Sequence, residues 1–253
     1  EWAKASDGKH KSAIHVDTGI NRLGLDATQA EILSSDTELV KSAGACLLMS
    51  HLASGDDETN PSNRQQREEF ARLSTLFPAL PASLANSPGV FLGPDFAHNI
   101  VRPGVALYGG NPLTNKTNPM QPVVSLHAAI LQVREVAEGH GVGYGATWRA
   151  DRRSRIAIAG VCYADGLHRS MSWPAVHDGP AKVWIADQPV SIVGRVSMDM
   201  ITIDVTDLPP VSIGDPVVAW GDGLPLNEVA AHAGTIGYEL TTRMPMRTPR
   251  IVA

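Results

Sequence analysis

The feature that most constrains the fold is a change in hydrophobic pattern near residue 111 of the 253-residue chain. Before this point, short apolar runs typical of buried strands alternate with segments whose apolar residues recur at helical spacing. This alternation predicts βα units around a parallel sheet. Beyond it, strand-like runs follow one another between turn sequences, which predicts a mostly antiparallel β domain.

In the first part we expect four strands, at Ala13–Val16, Ala45–Ser50, Ala82–Ala85 and Val105–Tyr108. A helix is expected over Ala27–Ser34, with Asp26 as its cap, and a second helix is expected to begin at Pro61. The second helix has an apolar face at helical spacing, formed by Phe70, Leu73, Leu76 and Phe77.

The segment Asn111–Pro122 is rich in proline and asparagine, which predicts an interdomain linker. We place the domains at 1–119 and 120–253. The strands expected in the second domain are Leu126–Val133, Arg155–Val161, Ala181–Ile185, Val190–Val193, Met200–Val205 and Pro216–Trp220. A helix is expected over Asn227–Ala233, capped by Asn227. Four βα-type segments are few for a closed barrel, which needs eight, so we expect that the N-terminal half of such a barrel is absent.

Composition excludes several classes of protein. The net charge is −5 and the isoelectric point is near 6.0, so nothing indicates binding to nucleic acid or to an anionic membrane. The apolar stretches are too short for a transmembrane span, and the first residues lack the apolar core of a signal peptide. Cys46 and Cys162 both lie in apolar runs, which we interpret as two buried reduced thiols rather than a disulfide or metal site. A cytoplasmic location is therefore expected.

Residues suited to chemistry follow the expected strands. Arg22 lies in a glycine turn after the first strand, His51 and Ser87 follow the second and third, and Arg102 lies beside Gly104. Because the carboxyl ends of parallel strands meet on one face, these groups are expected to converge there and to suit an anionic ligand with a ring. Taken singly, each has an ordinary structural explanation, such as a surface ion pair, a structural histidine or a turn residue.

Seven segments, in order along the chain, resemble signature blocks of the alanine racemases. In the first part they begin at Asp17 (family pattern DTGMxRLG), Ser50 (THFAxADE) and Arg102 (RPGIALYG). In the second part they begin at Val142 (VSYGxTW), Tyr163 (the YADG of GYADG), Gly194 (GRVCMD) and Ala233 (AGTIxYE).

The resemblance implies a fold and an activity. The fold is the second half of a TIM-like (β/α)8 barrel followed by a mostly antiparallel β domain. The implied activity is interconversion of L- and D-alanine with pyridoxal 5'-phosphate as cofactor, using one base on each face of the substrate. The family works as a homodimer with shared active sites, and Tyr144 would supply one base to the partner subunit. The product would serve peptidoglycan synthesis, or the enzyme would serve D-alanine catabolism.

The resemblance also implies the other site residues. Those carried over for binding the cofactor are His51, Ser87, Arg102, Gly104 and Val105. Those carried over for binding the substrate or lining its entrance are Arg22, Met198, Tyr163 and Arg169.

The sequence departs from the family in the Schiff-base lysine, the second base. Its block is absent, and none of the six lysines has its context. His15 stands where some members have a modified lysine that orients the arginine equivalent to Arg22. Two alternatives therefore stay open beside alanine racemase. One is a racemase of broader specificity, acting for example on serine, and the other is a truncated, non-catalytic remnant that binds pyridoxal phosphate.

Overall fold

The computed structural model describes residues 2–6, 9–174 and 179–252. The chain divides into two compact units, here called the α/β unit and the β unit. The α/β unit comprises Glu1–Ala106 and Pro112–Asn118, and the β unit comprises Leu107–Asn111 and Pro119–Ala253. The chain therefore passes between the units within residues 106–119, while the predicted domain boundary lies between residues 119 and 120.

The α/β unit is built on a parallel sheet with the strand order β1-β2-β3. These strands are β1 (Ser12–His15), β2 (Ala45–Met49) and β3 (Ala82–Ser83). Helices between and beside them are α1 (Trp2–Ser6), α2 (Ala27–Ser34), α3 (Thr37–Ser42), α4 (Pro61–Ser74) and α5 (Pro94–Ala97). Parallel pairing brings the carboxyl ends of the strands to one edge. The first three expected strands and their parallel arrangement are thus confirmed.

Helix α4 shows how local sequence sets an element. Pro61 occupies its first turn, and the Asn60 side chain accepts a hydrogen bond from the Ser62 amide at 3.0 Å. Phe70 and Leu73 are fully buried in the core of this unit. Other core members are Ile14, Val16, Ala30, Leu48, Leu52, Phe77, Ala82, Leu84 and Phe96. The predicted start of the helix is confirmed, and so are Phe70 and Leu73 on its apolar face. The assignment of Leu76 and Phe77 to the helix is wrong, because the helix ends at Ser74.

The fourth expected strand is wrong, because Val105–Tyr108 forms a 3₁₀ turn. The Ser87 hydroxyl accepts hydrogen bonds from the amides of Gly104 and Ala106, at 2.7 and 3.4 Å. An amide that donates to a side chain is not available to pair with a neighbouring strand. Strand pairing in this region is therefore limited to a single bridge between Asn86 and Arg102.

The β unit contains the remaining strands. In chain order they are β4 (Leu126–Val136), β5 (Gly141–Val142), β6 (Trp148–Arg149), β7 (Ser154–Ala159), β8 (Lys182–Ile185), β9 (Gln188–Val193), β10 (Ile201–Asp204) and β11 (Pro216–Trp220). Antiparallel pairing closes a barrel in the order β10-β7-β4-β11-β8-β9, and β5 pairs with β6. Apolar side chains such as Ile130, Val183 and Ile203 fill the barrel. The predicted antiparallel domain and all six of its expected strands are confirmed, with shifts of up to three residues at their ends.

Two short helices, α6 (Leu226–His232) and α7 (Gly237–Thr242), follow the barrel. The predicted cap of the first one is wrong, since α6 begins after Pro225 and no side chain caps it. The Asn227 side chain instead accepts a hydrogen bond from the Asn111 amide at 2.7 Å and donates to the Asn111 carbonyl at 3.4 Å. The Asn227 side chain is engaged by a residue 116 positions away, so it does not cap the helix in which it lies.

The two cysteines differ in burial. Cys162 is buried, as predicted, but Cys46 is exposed, so the expectation of two buried thiols is wrong for this residue. Cys46 lies next to the first residue of β2, at one end of the sheet, whereas Leu48 on the same face of the strand is fully buried. Among the described residues, no helix has both the length and the apolar character needed to cross a membrane.

The barrel core yields a stability prediction. Ile203 has no exposed surface, so Ile203→Ala should leave a cavity and lower the free energy of unfolding by about 2–5 kcal/mol. Urea denaturation of the two proteins measures the difference. The matched control is Ile213→Ala in the same unit, where the side chain is 72% exposed and a change within about 0.5 kcal/mol is expected. Equal losses for the two variants would contradict the assigned core.

Candidate active site

Six of the predicted site residues follow the carboxyl ends of β1, β2 and β3. They form what we call the strand-end cluster, namely Arg22, His51, Ser87, Arg102, Gly104 and Val105. The other four lie in the β unit and are called the β-unit group, namely Tyr144, Tyr163, Arg169 and Met198. Each group is described within its own unit.

The loop that carries Arg22 is organised by Asp17. One oxygen of this carboxylate accepts hydrogen bonds from the amides of Gly19, Ile20 and Asn21, at 2.9 to 3.2 Å. Burial by itself raises the pKa of Asp17, but these amide bonds outweigh it and hold the pKa below its ordinary value. The carboxylate therefore stays charged and fixes the turn from which the exposed Arg22 side chain projects.

The loop that carries His51 is held by hydrogen bonds to a buried glutamine, Gln66, which the sequence analysis did not identify. Gln66 on α4 is 2% exposed, and its side chain donates to the His51 carbonyl at 2.9 Å and accepts from the Ala53 amide at 2.8 Å. It also donates to the Thr18 hydroxyl at 3.3 Å, which links the loops after β1 and β2. A detectable signal existed, because Gln66 is a polar residue four positions before Phe70 on the apolar face of the helix.

Arg102 joins the ends of two strands. Its guanidinium donates to the Ser83 carbonyl at 3.0 Å and to the Ser50 carbonyl at 2.6 Å. Burial lowers its pKa, yet an arginine keeps its charge in proteins. The cluster therefore holds a fixed, partly buried positive charge where β2 and β3 end.

The charge of Arg102 contributes to the lowered pKa of two histidines. Burial, then the charge of Arg102, lowers the pKa of both His51 and His15, and Arg22 adds to the effect. Both imidazoles are thus favoured in the neutral form. His51 Nε2 lies 3.4 Å from the side-chain Nδ2 of Asn86. His15 Nε2 is buried and has no hydrogen-bond partner among the described residues.

Ser87 lies against the turn that contains Gly104 and Val105. Ser87 is 2% exposed, and its hydroxyl accepts hydrogen bonds from the amides of Gly104 and Ala106. A Cβ built on Gly104 would meet nothing closer than the Ser87 hydroxyl at 3.9 Å, so space is open beside the backbone. A phosphate placed in this space could accept from the Ser87 hydroxyl and, in place of that hydroxyl, from the Gly104 amide, so these residues fit one.

The β-unit group is largely exposed. Tyr144 is 70% exposed and begins a 3₁₀ turn between Gly143 and Gly145, both of which have a φ of 72°. Such left-handed backbone favours glycine. Tyr163 and Met198 are also exposed, at 42% and 58%. Tyr144 is therefore an exposed residue on a glycine-built turn.

Cys162 connects two members of the β-unit group, and sequence reasoning did not assign it to the site. Its thiol lies within hydrogen-bond reach of the Met198 carbonyl, and it directly precedes Tyr163. Arg169 is tied to the same region through Ser172, whose hydroxyl donates to the Arg169 carbonyl at 2.6 Å and accepts from the Val196 amide at 2.9 Å.

One cleft of the α/β unit lies apart from the strand-end cluster. It encloses about 700 Å³. Its lining includes Asn60, Arg64, Arg67, Phe91 and Phe96, and none of the six cluster residues.

The exposure of the six lysines does not single out any of them as a partner for a cofactor. Five are exposed and one is half-buried in β8, and they are Lys4, Lys9, Lys11, Lys41, Lys116 and Lys182.

Two family models match the chain. Residues 1–112 match "Alanine racemase, N-terminal domain" and residues 123–252 match "Alanine racemase, C-terminal domain". The chain belongs to the alanine racemase family. The predicted resemblance is thus confirmed across both parts of the sequence.

Individual relatives agree with this family. A protein from Acidiphilium cryptum named "Alanine racemase" is 45% identical over 250 residues, which cover 99% of this chain and 68% of that protein. One from Agrobacterium fabrum named "Alanine racemase, biosynthetic" is 43% identical, and the match covers 97% of this chain and 65% of that protein. The chain thus spans about two thirds of the length of these relatives.

A solved structure supports the fold. The crystal structure of alanine racemase from Bartonella henselae with covalently bound pyridoxal phosphate superposes with a TM-score of 0.85 and 36% identity. The match covers 99% of this chain and 69% of that one. Such likeness to alanine racemase structures implies a barrel followed by a C-terminal β domain, which agrees with the expected fold class at that level.

The histidines of this family member predict a pH dependence of stability. Because the folded state lowers the pKa of His15 and His51, their stabilising contribution is present above the unfolded value of about 6.5 and is lost as pH falls below it. The urea midpoint should therefore decrease from pH 7.5 to pH 5. His51→Gln should show a smaller decrease, whereas His140→Gln, which alters an exposed histidine, should match the wild type. An unchanged slope in His51→Gln would refute this assignment.

Proposed function

We propose that the protein containing this chain is a pyridoxal-phosphate-dependent alanine racemase, an isomerase that interconverts L- and D-alanine. The observation that carries the proposal is the strand-end cluster in a chain that matches both alanine racemase family models. Within it, Arg102 donates to the Ser50 carbonyl, lowers the pKa of His51 after the effect of burial, and lies in the segment that also carries Gly104, whose amide donates to Ser87. Support for the cofactor also comes from the Bartonella henselae relative, which carries pyridoxal phosphate covalently bound.

In this proposal the cofactor phosphate is held by the Ser87 hydroxyl and by the amides of Gly104 and Val105. The donors are backbone amides that need no charged side chain, and Gly104 leaves room beside them. When bound, pyridoxal phosphate supplies an electron sink that acidifies the α-hydrogen of the amino acid. The protein's task is then to place the cofactor and to move protons at that carbon.

Arg102 is proposed to face the ring nitrogen of the cofactor. A guanidinium has five N–H donors and no acceptor, so donors remain beyond those given to Ser50 and Ser83. A group that only donates would leave the ring nitrogen unprotonated, which would moderate the electron sink and disfavour side reactions. His51, kept neutral beside Arg102, is proposed to connect this charge to the catalytic tyrosine.

Tyr144 is proposed as one of the two bases, acting on a substrate bound by the partner subunit of a homodimer. Its exposure of 70% on a glycine-built turn suits a residue that serves another chain. A free tyrosine has a pKa of about 10, so neighbouring positive charge is needed for it to accept a proton near neutral pH. The other base would be a lysine, and we assign none of the six lysines to that role.

The substrate residues complete the proposal. Arg22 would bind the carboxylate of alanine, assisted by the amide of Met198 from the partner subunit. Tyr163 and Arg169 would border the entrance, and a narrow entrance favours alanine over longer side chains. A broader specificity that includes serine and a non-catalytic remnant remain alternatives. The joint presence of Arg22, Arg102 and Tyr144 disfavours a remnant. We place the enzyme in the cytoplasm, supplying D-alanine for peptidoglycan or consuming it.

The role of Tyr144 is tested by Tyr144→Phe in the full-length, cofactor-loaded protein. Loss of a general base should lower kcat/KM for alanine by about 10²-fold or more, while the visible absorbance of the bound cofactor persists. Tyr238→Phe, which alters another exposed tyrosine of the β unit, is the matched control and should retain activity. Near-normal racemisation by Tyr144→Phe would overturn the assignment.

Shared active sites make a second prediction. Tyr144→Phe and Arg22→Met alter different units, and each should be inactive alone. After subunit exchange, half of the dimers are mixed and each has one intact site, so about one quarter of wild-type activity should return. If exchange is verified by mass spectrometry and no activity returns, the two residues act within one subunit.

A further inference from the structure

The buried thiol of Cys162 lies between two segments that the proposed function places at the substrate entrance. Cys162 has no exposed surface. Its Sγ lies 2.9 Å from a carboxylate oxygen of Asp165 and within hydrogen-bond reach of the Met198 carbonyl oxygen. The sulfur thus contacts a residue three positions along its own turn and another 36 positions away.

The surroundings require the protonated thiol. Both close partners of Sγ are oxygen acceptors, and a thiol has one proton to give to them. Burial, reinforced by the hydrogen bond to Asp165, raises the pKa of the Cys162 thiol. Arg247 approaches the sulfur at 3.6 Å, but its guanidinium is engaged by the Asp165 carboxylate at 2.8 Å. Cys162 therefore acts as a donor near neutral pH.

The turn that follows Cys162 is held at several points. The Asp165 amide donates to the Cys162 carbonyl at 3.0 Å, and Gly166 ends the turn with a φ of 95°. Arg247 Nε donates to the Asp165 carboxylate at 3.0 Å from the C-terminal segment. With the turn fixed in this way, the direction of the exposed Tyr163 side chain depends on the position of Cys162.

We propose that Cys162 is a positioning residue, whose thiol ties the Tyr163 turn to the Met198 backbone and so fixes the spacing of the substrate entrance. This inference rests on the proposed function, which assigns Tyr163 and Met198 to alanine binding. The family pattern GYADG has glycine where this chain has Cys162, and a glycine has no side chain to make the contact. The chain also has Ser197 where the pattern GRVCMD has its cysteine.

The test compares Cys162→Ala, Cys162→Ser and Cys46→Ala in the full-length, cofactor-loaded protein. Cys162→Ala should raise KM for alanine by roughly three- to tenfold, as expected for one lost hydrogen bond, with a smaller change in kcat. Cys162→Ser retains a donor and should stay close to wild-type KM. Cys46→Ala removes the exposed thiol and should change neither constant. The ratio of serine to alanine turnover should rise in Cys162→Ala as the entrance loosens.

A spectroscopic measurement does not depend on turnover. The infrared S–H stretching band of Cys162 should lie at the lower frequency of a hydrogen-bonded thiol, disappear in Cys162→Ala and persist in Cys46→Ala. A band at the frequency of a free thiol would overturn the proposal even if Cys162→Ala failed to fold. So would unchanged KM and substrate ratio in a folded Cys162→Ala. If the wild type carries cofactor but does not racemise alanine, the proposed function fails, whatever the band shows.

Discussion

The strand-end cluster depends on the hydrogen bonds that Arg102 donates to the carbonyls of Ser50 and Ser83. A partly buried guanidinium is costly unless its N–H groups are satisfied, and the carbonyls at the ends of β2 and β3 satisfy them. The same contacts fix one positive charge beside His51 and His15. Their neutral state, and hence the chemistry available to the cluster, follows from where the two strands stop.

A second constraint comes from Ser87, where hydrogen bonding decides both fold and site. Its hydroxyl accepts hydrogen bonds from the amides of Gly104 and Ala106. The segment Val105–Tyr108, which the sequence predicts as a strand, therefore forms a 3₁₀ turn. The amides of Gly104 and Ala106 donate to this hydroxyl instead of entering a sheet ladder. A turn held by one hydroxyl thus replaces a fourth stretch of parallel pairing.

In the β unit, exposed residues lie on turns whose backbone conformation is well defined. Its barrel buries a continuous apolar core, and the residues proposed for function lie on the connecting turns. Tyr144 is held by a glycine-built turn, and the Tyr163 turn is held by hydrogen bonds from Cys162 and Arg247. The position of an exposed side chain is well defined only when buried groups of this kind restrict the backbone beneath it.

The sequence by itself determined the order of elements, the start of α4 at Pro61, the antiparallel domain and which residues follow the strands. These depend on periodicity and on local capping, which act over a few residues. The family followed from its motifs. Only the tertiary structure decided the bracing by Gln66, the pairing of Asn227 with Asn111, the turn at Val105 and the contact of Cys162 with Met198. Each of these joins groups that lie 13 or more residues apart, and no local pattern specifies which distant donor will satisfy a buried acceptor.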